Sequence, residues 1–233
     1  MNILKNIVLI LIFCTSVYPQ TILETHDPNT PLNADQCYDL VKTIWDGLKK
    51  MSEEHQSIIA VKSEFETTAE FTDRVRKAKD QYINKVNKFS QENKLSEKVY
   101  SVWMKADLVK YDADNQVYSV TSPTKILVQP KKKEISVVCP PNKYLLINEK
   151  NSKGYRFANL QLNTTPEFSW FVNKQTAQSA KDKENVMFFK VTFRFRIDVA
   201  ESDNQVLLTI VPTKIALMDQ QENFTYWSDD IRL

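Results

Sequence analysis

The side chains that most often carry catalysis or metal binding are scarce in this chain and widely spaced. His26 lies in a polar N-terminal stretch, and His55 stands beside Glu53 and Glu54 after a helical pattern. A cysteine–histidine nucleophile or a multi-histidine zinc site needs several such residues together. His55 with its acidic neighbours is either a weak metal ligand or part of a solvent-exposed helix end, and the sequence favours the helix end. We predict no metal site and no cofactor.

Acidic residues offer a second kind of chemistry. Two acid pairs stand at 53–54 and 229–230, and a glycosidase needs two carboxyl groups facing each other across a cleft. Adjacency along the chain does not supply that geometry, so a hydrolase with a spatially assembled carboxylate pair is the alternative function here. Asp112, Asp114 and Gln116 resemble the start of a calcium loop. The glycine and distant glutamate of an EF-hand are missing there, so this spacing predicts a hairpin turn.

Glycine content and charge exclude several classes of function. Gly47 and Gly154 are the only glycines in the chain. Phosphate loops, dinucleotide turns and nucleophile elbows need glycine where the backbone approaches a ligand or turns sharply. The formal charge is +2, from 31 basic and 29 acidic residues. Because nucleic-acid binding depends on a concentrated basic surface, we predict no nucleic-acid partner.

The N-terminal residues resemble an export signal. An apolar run at 7–13 follows Lys5 and precedes small residues. The run is shorter than the roughly 20 apolar residues that cross a bilayer. We therefore predict a signal peptide at 1–16, a periplasmic or secreted protein, and no stable membrane span after cleavage. The alternatives are an uncleaved anchor and a lipoprotein attached through Cys14.

Removal of the signal would leave Cys37 and Cys139 as the only cysteines. In an oxidising compartment a disulfide between them would close a loop of about 100 residues and restrict the unfolded chain. The sequence does not show whether the two Cα atoms come within bonding range. Two separate buried thiols are therefore the equal alternative.

Hydrophobic spacing divides the remaining chain into a helical segment and a β-rich region. After an extended leader at 17–33, apolar residues recur with helical spacing, and Thr67 with Glu70 forms a capping-box pattern that predicts the start of a second helix. We assign 34–94 to the helical segment and 95–233 to the β-rich region. The predicted fold class is α+β, with N-terminal amphipathic helices packed on a predominantly antiparallel β-rich region in one domain.

Individual elements follow from the same patterns. The first helix is predicted over 34–51, and a later helix over 166–180 because Pro166 follows Thr165 at a favourable first-turn position. Alternating apolar residues predict the remaining strands. These strands are 100–109, 117–120, 126–128, 135–138, 144–147, 155–162, 188–198, 206–211, 214–218 and 224–227.

The strand at 188–198 has one apolar side and one basic side. Lys190, Arg194 and Arg196 share the basic side. They are either an anion-binding face or an ordinary solvent-facing row with acids paired opposite, and the sequence favours the ordinary row. The basic run at 131–133 predicts a solvated turn rather than a phosphate site, because Glu134 follows it at once.

Three tryptophans, Trp103, Trp170 and Trp227, are candidates for lining an apolar or carbohydrate-binding site. Large aromatic side chains also supply much of the area that a protein core buries. We therefore predict that they serve core and sheet packing.

Two stretches resemble short patterns in a family of uncharacterised exported bacterial proteins. They are FETTAEFTDR at 65–74 and YDADNQV at 111–117. The resemblance implies an acidic, threonine-capped helix before a β-rich region, and it transfers no catalytic residue. The export signal, the predicted α+β domain and the lack of a concentrated catalytic motif, rather than this resemblance, give the expected function. It is an extracytoplasmic, non-enzymatic binding or interaction protein at the bacterial cell envelope, with an envelope or extracellular partner.

Overall fold

A computed structural model of the chain describes residues 23, 26–27, 30–128, 135–139, 144–152, 155–162, 168–199 and 206–231. The predicted signal peptide, most of the predicted leader and the basic run at 131–133 lie outside these residues. The described helices are α1 (Ala34–Ile59), α2 (Thr68–Glu92), α3 (Lys174–Asp182) and a 3₁₀ turn (Glu184–Val186). The described strands are β1 (Tyr100–Lys105), β2 (Asp107–Asp112), β3 (Val117–Thr121), β4 (Lys125–Val128), β5 (Ile135–Val138), β6 (Leu145–Ser152), β7 (Tyr155–Leu162), β8 (Ser169–Phe171), β9 (Met187–Val199), β10 (Val206–Asp219) and β11 (Phe224–Asp230).

These strands form three sheets. The largest has the order β1-β9-β10-β11, and β5 also pairs with β10. The two others have the orders β2-β3-β8 and β4-β7-β6. The β5–β10 pair is parallel, and the other pairings of the described strands are antiparallel. The fold is therefore α+β with predominantly antiparallel sheets, as the sequence predicts.

Side-chain caps fix where the long helices begin. The Asn33 carboxamide oxygen accepts from the Gln36 amide at 2.9 Å, and the Gln36 side chain accepts from the Asn33 amide. Thr67 and Glu70 make the same reciprocal exchange at the start of α2, which confirms the predicted capping box. Each cap satisfies backbone donors that the first helical turn leaves without intrahelical partners.

The two long helices pack as an antiparallel hairpin. A Cβ atom added to Gly47 would lie 2.8 Å from Cζ of Phe89, so glycine permits this close approach. Nearer the loop, the rings of His55 and Tyr82 stack with their centroids 4.7 Å apart. The predicted solvent-exposed position of His55 is wrong, because its side chain is only 3% exposed. Helix α1 continues to Ile59 rather than ending near residue 51, so the packed face reaches His55.

One cluster of buried apolar residues joins α1 to the sheets. Helix α1 packs against β1, β4 and β5. On the largest sheet, the rings of Tyr100 and Phe193 lie 6.0 Å apart, and Phe195 meets Tyr100 edge to face at 5.4 Å. Burying a side chain the size of phenylalanine stabilises a fold by about 1.5 to 3 kcal/mol. These rings therefore anchor the sheet beneath the helix.

Three predicted element boundaries are wrong. The predicted strand at 100–109 is two strands, because the chain changes sheets at the fully buried Ala106. The predicted helix at 166–180 begins only at Lys174, where Asn173 caps it. Residues 169–171 instead form β8, in which Trp170 pairs with Tyr118 of β3.

The third correction concerns Pro212, which the sequence places at a strand break. Strand β10 runs through it, and the register with β9 shifts between Pro212 and Lys214. A bulge at this point accommodates the missing proline N–H. The Thr213 hydroxyl donates to the Thr192 carbonyl at 3.2 Å and helps hold the irregular site.

Of the two equal alternatives for Cys37 and Cys139, the structure contains two separate buried thiols and not a disulfide. Cys37 belongs to the buried stripe of α1, and Cys139 follows β5. The Cys139 thiol lies 3.9 Å from the Leu145 carbonyl oxygen. Burial raises the pKa of each thiol to about 12, because the thiolate would lose its hydration.

Candidate functional site

The loop between α1 and α2 exposes apolar side chains at the end of the helical hairpin. Phe65 is 89% exposed and Val61 is 77% exposed, and Ile58, in the last turn of α1, is 40% exposed. We call these three residues the hairpin tip. Single exposed apolar residues are common on protein surfaces, whereas a group that includes a large aromatic side chain is a candidate contact surface.

Arg74 clamps this loop from the first turns of α2. Its guanidinium donates to both carboxylate oxygens of Glu66, at 2.8 Å each, and to the Val61 carbonyl oxygen at 3.0 Å. It also donates to the carbonyl oxygen of Ile58. The planar guanidinium is suited to several acceptors at once, so one side chain connects the end of α1, the loop and the start of α2.

The Arg74–Glu66 pair is partly shielded from solvent, with side chains 33% and 14% exposed. The hydrogen bond from Arg74 is the main cause that holds the pKa of Glu66 below its ordinary value. The same contact raises the pKa of Arg74. Glu66 therefore remains ionised, and the clamp persists across the neutral pH range.

A tight turn presents Phe65 to solvent. The Glu66 amide donates to the Ser63 carbonyl oxygen at 3.1 Å, and the Phe65 amide donates to the Ser63 hydroxyl at 3.3 Å. The Lys62 ammonium donates to the Thr68 hydroxyl at 3.1 Å and ties the turn to α2. The exposed ring therefore stands on a backbone that is ordered before any partner arrives.

Acidic groups border the hairpin tip. Glu64 and Glu66 flank Phe65 directly, and Glu70 lies in the first turn of α2. Lys62 is the one cation between residues 60 and 70. Since Arg74 neutralises Glu66, the remaining charges give the surface around the ring a small negative balance.

The predicted anion-binding residues lie on the outer side of β9, but they differ in their surroundings. Arg196 is exposed and donates at 2.8 Å to Asp198, which lies two residues further along the same strand and not opposite it as the sequence analysis considered. Arg194 is also exposed. The Lys190 ammonium lies 6.0 Å from the centre of the Trp103 ring, beside a groove in the sheet.

The acid pairs do not meet in a cleft. Glu53 and Glu54 bind Lys49 and Lys85, respectively, on the surface of the helical hairpin. Asp229 accepts from the Tyr144 hydroxyl at 3.0 Å. These carboxylates therefore make separate local contacts on different elements.

Asp112 has the turn role that its spacing predicts. One of its carboxylate oxygens accepts from the amides of Asp114 and Asn115, at 3.0 and 3.1 Å. These bonds close the hairpin between β2 and β3. Gln116 completes the turn with a φ of 51°. Among the described residues, no group of three or more histidine, cysteine or acidic side chains is arranged to hold a metal ion.

The tryptophans belong to packed aromatic groups. Trp170 is buried and lies 6.2 Å from Tyr118, ring centre to ring centre. Trp227 contacts Phe168 at 4.7 Å. Trp103 packs edge to face on Phe188 at the outer side of the largest sheet. The predicted packing role is thus observed, and the Trp103 ring also faces the Lys190 ammonium.

The sequence analysis did not identify the hairpin tip as a site. The capping pattern explains Thr67 and Glu70 but gives no role to the aromatic residue Phe65 in front of them. The available signal was Phe65 itself, since it stands between two glutamates and outside both helical stripes. A large apolar residue that neither helix can bury is an indication of a contact surface.

Comparisons with protein-family models, with curated proteins and with solved structures found no match. In the part of the chain that the structure describes, no helix combines the length and the apolar character needed to cross a membrane.

Proposed function

We propose that this chain is a non-enzymatic interaction protein of the extracytoplasmic space, and that it docks onto an envelope or extracellular protein through the hairpin tip. The observation that carries the proposal is an aromatic side chain, Phe65, that is 89% exposed on a turn clamped by Arg74. Binding to a partner immobilises loops at a cost in free energy. A loop that is already fixed avoids much of that cost.

The partner's chemistry follows from the surface around the ring. Phe65 fits an apolar pocket, and buried aromatic anchors of this kind dominate many protein interfaces. Glu64 and Glu70 would remain at the edge of such a pocket, where basic residues of the partner complement them. A bilayer is the less suitable target, because inserting the ring would draw the flanking carboxylates towards hydrocarbon.

A hydrolase with a carboxylate pair is not favoured by any contact of the described acids. A hydrogen bond donated by Lys85 lowers the pKa of Glu54, and hydrogen bonds donated by Arg74 lower the pKa of Glu66. Backbone amides, first that of Glu222, lower the pKa of Asp219. A glycosidase acid requires the opposite shift, because it must stay protonated near neutral pH.

Site-specific photo-crosslinking in intact cells tests the proposed interaction. A photoreactive phenylalanine analogue replaces Phe65 in one sample and Val109 in the control, since Val109 is a 62% exposed residue of β2. We expect an adduct of defined mass from position 65 alone. Equal labelling from both positions, or no adduct from position 65, would contradict docking through the hairpin tip.

The extracytoplasmic location has its own test. We expect the protein to be recovered outside the cytoplasm with residues 1–16 removed, as mass spectrometry of the N-terminal peptide can show. An intact N-terminus on cytoplasmic protein would contradict this location without deciding whether the hairpin tip binds a partner.

A further inference from the structure

A groove crosses the outer side of the largest sheet, far along the chain from the hairpin tip. Strands β9, β10 and β11 line it, and its volume is about 350 Å³. Small-molecule sites in proteins commonly have volumes of about 300 to 1,000 Å³. The groove is therefore large enough to hold a small ligand.

The groove has a lining of mixed polarity, in which Thr225 and Ser228 of β11 accompany the residues of β9 and β10. Its apolar part, which we call the floor, consists of Ala216 and Met218, which alternate with the core-facing Leu217 on β10. Ala216 and Met218 are each only 6% exposed, although they point away from the main core. A sheet face that only meets water usually carries polar residues at such positions.

Two lysines stand at one end of this floor. Lys190 of β9 pairs with Ala216, and Lys214 pairs with Thr192, so the two lysines occupy diagonal positions on neighbouring strands. Diagonal positions in an antiparallel pair lie about 7 to 8 Å apart. The Lys190 ammonium lies towards Trp103 of β1 and the Lys214 ammonium towards Asp230 of β11, so both long side chains must turn inward to reach one anionic group.

Neither lysine is held in a strong ion pair. The Lys190 ammonium faces the Trp103 ring at 6.0 Å, and Lys214 lies 4.0 Å from the carboxylate of Asp230. The side chains of Lys214 and Asp230 are 51% and 79% exposed, so solvent screens their attraction. Lys183, by contrast, lies 2.6 Å from Glu222. The positive charge beside the groove is thus accessible to a ligand.

We infer that this groove binds a small amphiphilic anion, with its carboxylate between Lys190 and Lys214 and its aliphatic chain along Ala216 and Met218. Thr192, which lies between the lysines on the same side, supplies a hydroxyl for the carboxylate. The site uses a different surface from the hairpin tip. It goes beyond the proposed docking function and does not depend on it.

Octanoate is a suitable probe. The control compound is 1-octanol, which has the same chain length but no charge. The full chain is labelled with ¹³C at the methionine methyl groups and titrated with each compound. Met218 reports on the groove, while Met51 of α1 is the internal reference. We expect octanoate to shift the Met218 methyl signal in a saturable manner and to leave Met51 unchanged. Octanol should bind about tenfold more weakly, the loss expected for one charge-assisted contact.

Charge-removing variants show whether the lysines recognise the anion. We expect Lys190→Gln and Lys214→Gln each to raise the Kd for octanoate by about threefold to tenfold. The control is Lys125→Gln, an exposed lysine of β4 outside the groove, which should bind as the unaltered protein does. The amide spectrum of each variant confirms that it is folded before its affinity is compared.

Four results would overturn the inference. The first is an unshifted Met218 signal at millimolar octanoate, and the second is equal affinity for octanoate and octanol. The third is a Met218 signal that moves with protein concentration alone, because a second copy of the chain would then occupy the groove. Unchanged affinity in both lysine variants would likewise reject the assigned position of the carboxylate.

Discussion

Arg74 and Glu66 are eight residues apart, and two hydrogen bonds of 2.8 Å join the guanidinium of one to the carboxylate of the other. The same guanidinium donates to backbone carbonyl groups of Ile58 and Val61. One side chain therefore fixes both sides of the loop that carries Phe65. The position of the hairpin tip therefore depends on the hydrogen bonds of Arg74 as well as on the packing of the two helices.

Removal of the clamp should loosen the loop. In Arg74→Ala the amide of Glu66, which bonds to the Ser63 carbonyl oxygen, should exchange its hydrogen roughly tenfold faster because the turn opens more often. Hydrogen exchange followed by NMR measures this rate. The matched control is Arg76→Ala, since Arg76 forms an exposed pair with Asp73 on α2 and does not contact the loop. Similar exchange in both variants would show that Arg74 does not hold the turn.

Loss of the α2 cap should reduce overall stability. Thr67→Ala removes the hydroxyl that accepts from the Glu70 amide at 3.2 Å. Removal of such a cap costs about 1 kcal/mol of unfolding free energy. Urea denaturation followed by circular dichroism measures the loss. Thr72→Ala is the control, because Thr72 lies inside the helix and alanine has the higher helix propensity. A loss as large at position 72 would contradict a specific capping effect.

The parts of the fold that follow from local spacing could be predicted. The Thr67–Glu70 cap joins residues three apart, and the alternation along β9 depends on neighbouring side chains, so a short stretch of sequence contains the whole signal. The change of sheet at Ala106 and the bulge at Pro212 could not be predicted in this way. Both depend on which strand lies beside the residue, and that partner is distant along the chain.

The sites were harder to predict for the same reason. Lys190 was identified because alternation alone places it on the outer side of β9. The apolar floor beside it comes from Ala216 and Met218, and the pairing of β10 with β9 brings these residues next to Lys190. The contacts of Arg74 likewise depend on the path of a loop. Hydrophobic periodicity predicts helices and strands but not the path of a loop.

Phe65 should matter little for stability. Because its ring is 89% exposed, Phe65→Ala should change the free energy of unfolding by no more than about 0.5 kcal/mol. Phe193→Ala is the contrasting variant, since Phe193 is fully buried and its truncation costs about 3 to 5 kcal/mol. Chemical denaturation of the two variants measures the difference. A large loss in Phe65→Ala would mean that the ring serves folding and would remove the main support for its docking role.

The two buried thiols should resist modification in the folded protein. Burial raises the pKa of Cys37 and Cys139 to about 12, so the reactive thiolate is scarce at neutral pH. We expect a thiol reagent to label both residues rapidly in denaturant and very slowly without it, as peptide mapping can show. If protein from its native compartment is labelled at neither residue in denaturant until a reductant is added, the two cysteines form a disulfide there.

Buried histidine should make stability depend on pH. Burial lowers the pKa of His55, and the opposing effect of the Ala78 backbone does not reverse the shift. In the unfolded chain His55 takes up a proton near its ordinary pKa of about 6.5, while the folded protein resists protonation until the pH is lower. The unfolded state therefore binds more protons in this interval, and stability falls as the pH is lowered from about 7 to about 5.5.

Burial is the main cause of the lowered pKa of His55, and Lys85 of α2, which lines the same small cavity, is paired with Glu54. His55→Phe keeps a ring to stack on Tyr82 and removes the titration. Urea denaturation at several pH values should therefore show a weaker pH dependence in His55→Phe. His26 also has a lowered pKa through burial, so His26→Asn provides the comparison, and an unchanged slope in His55→Phe would assign the effect to His26 instead.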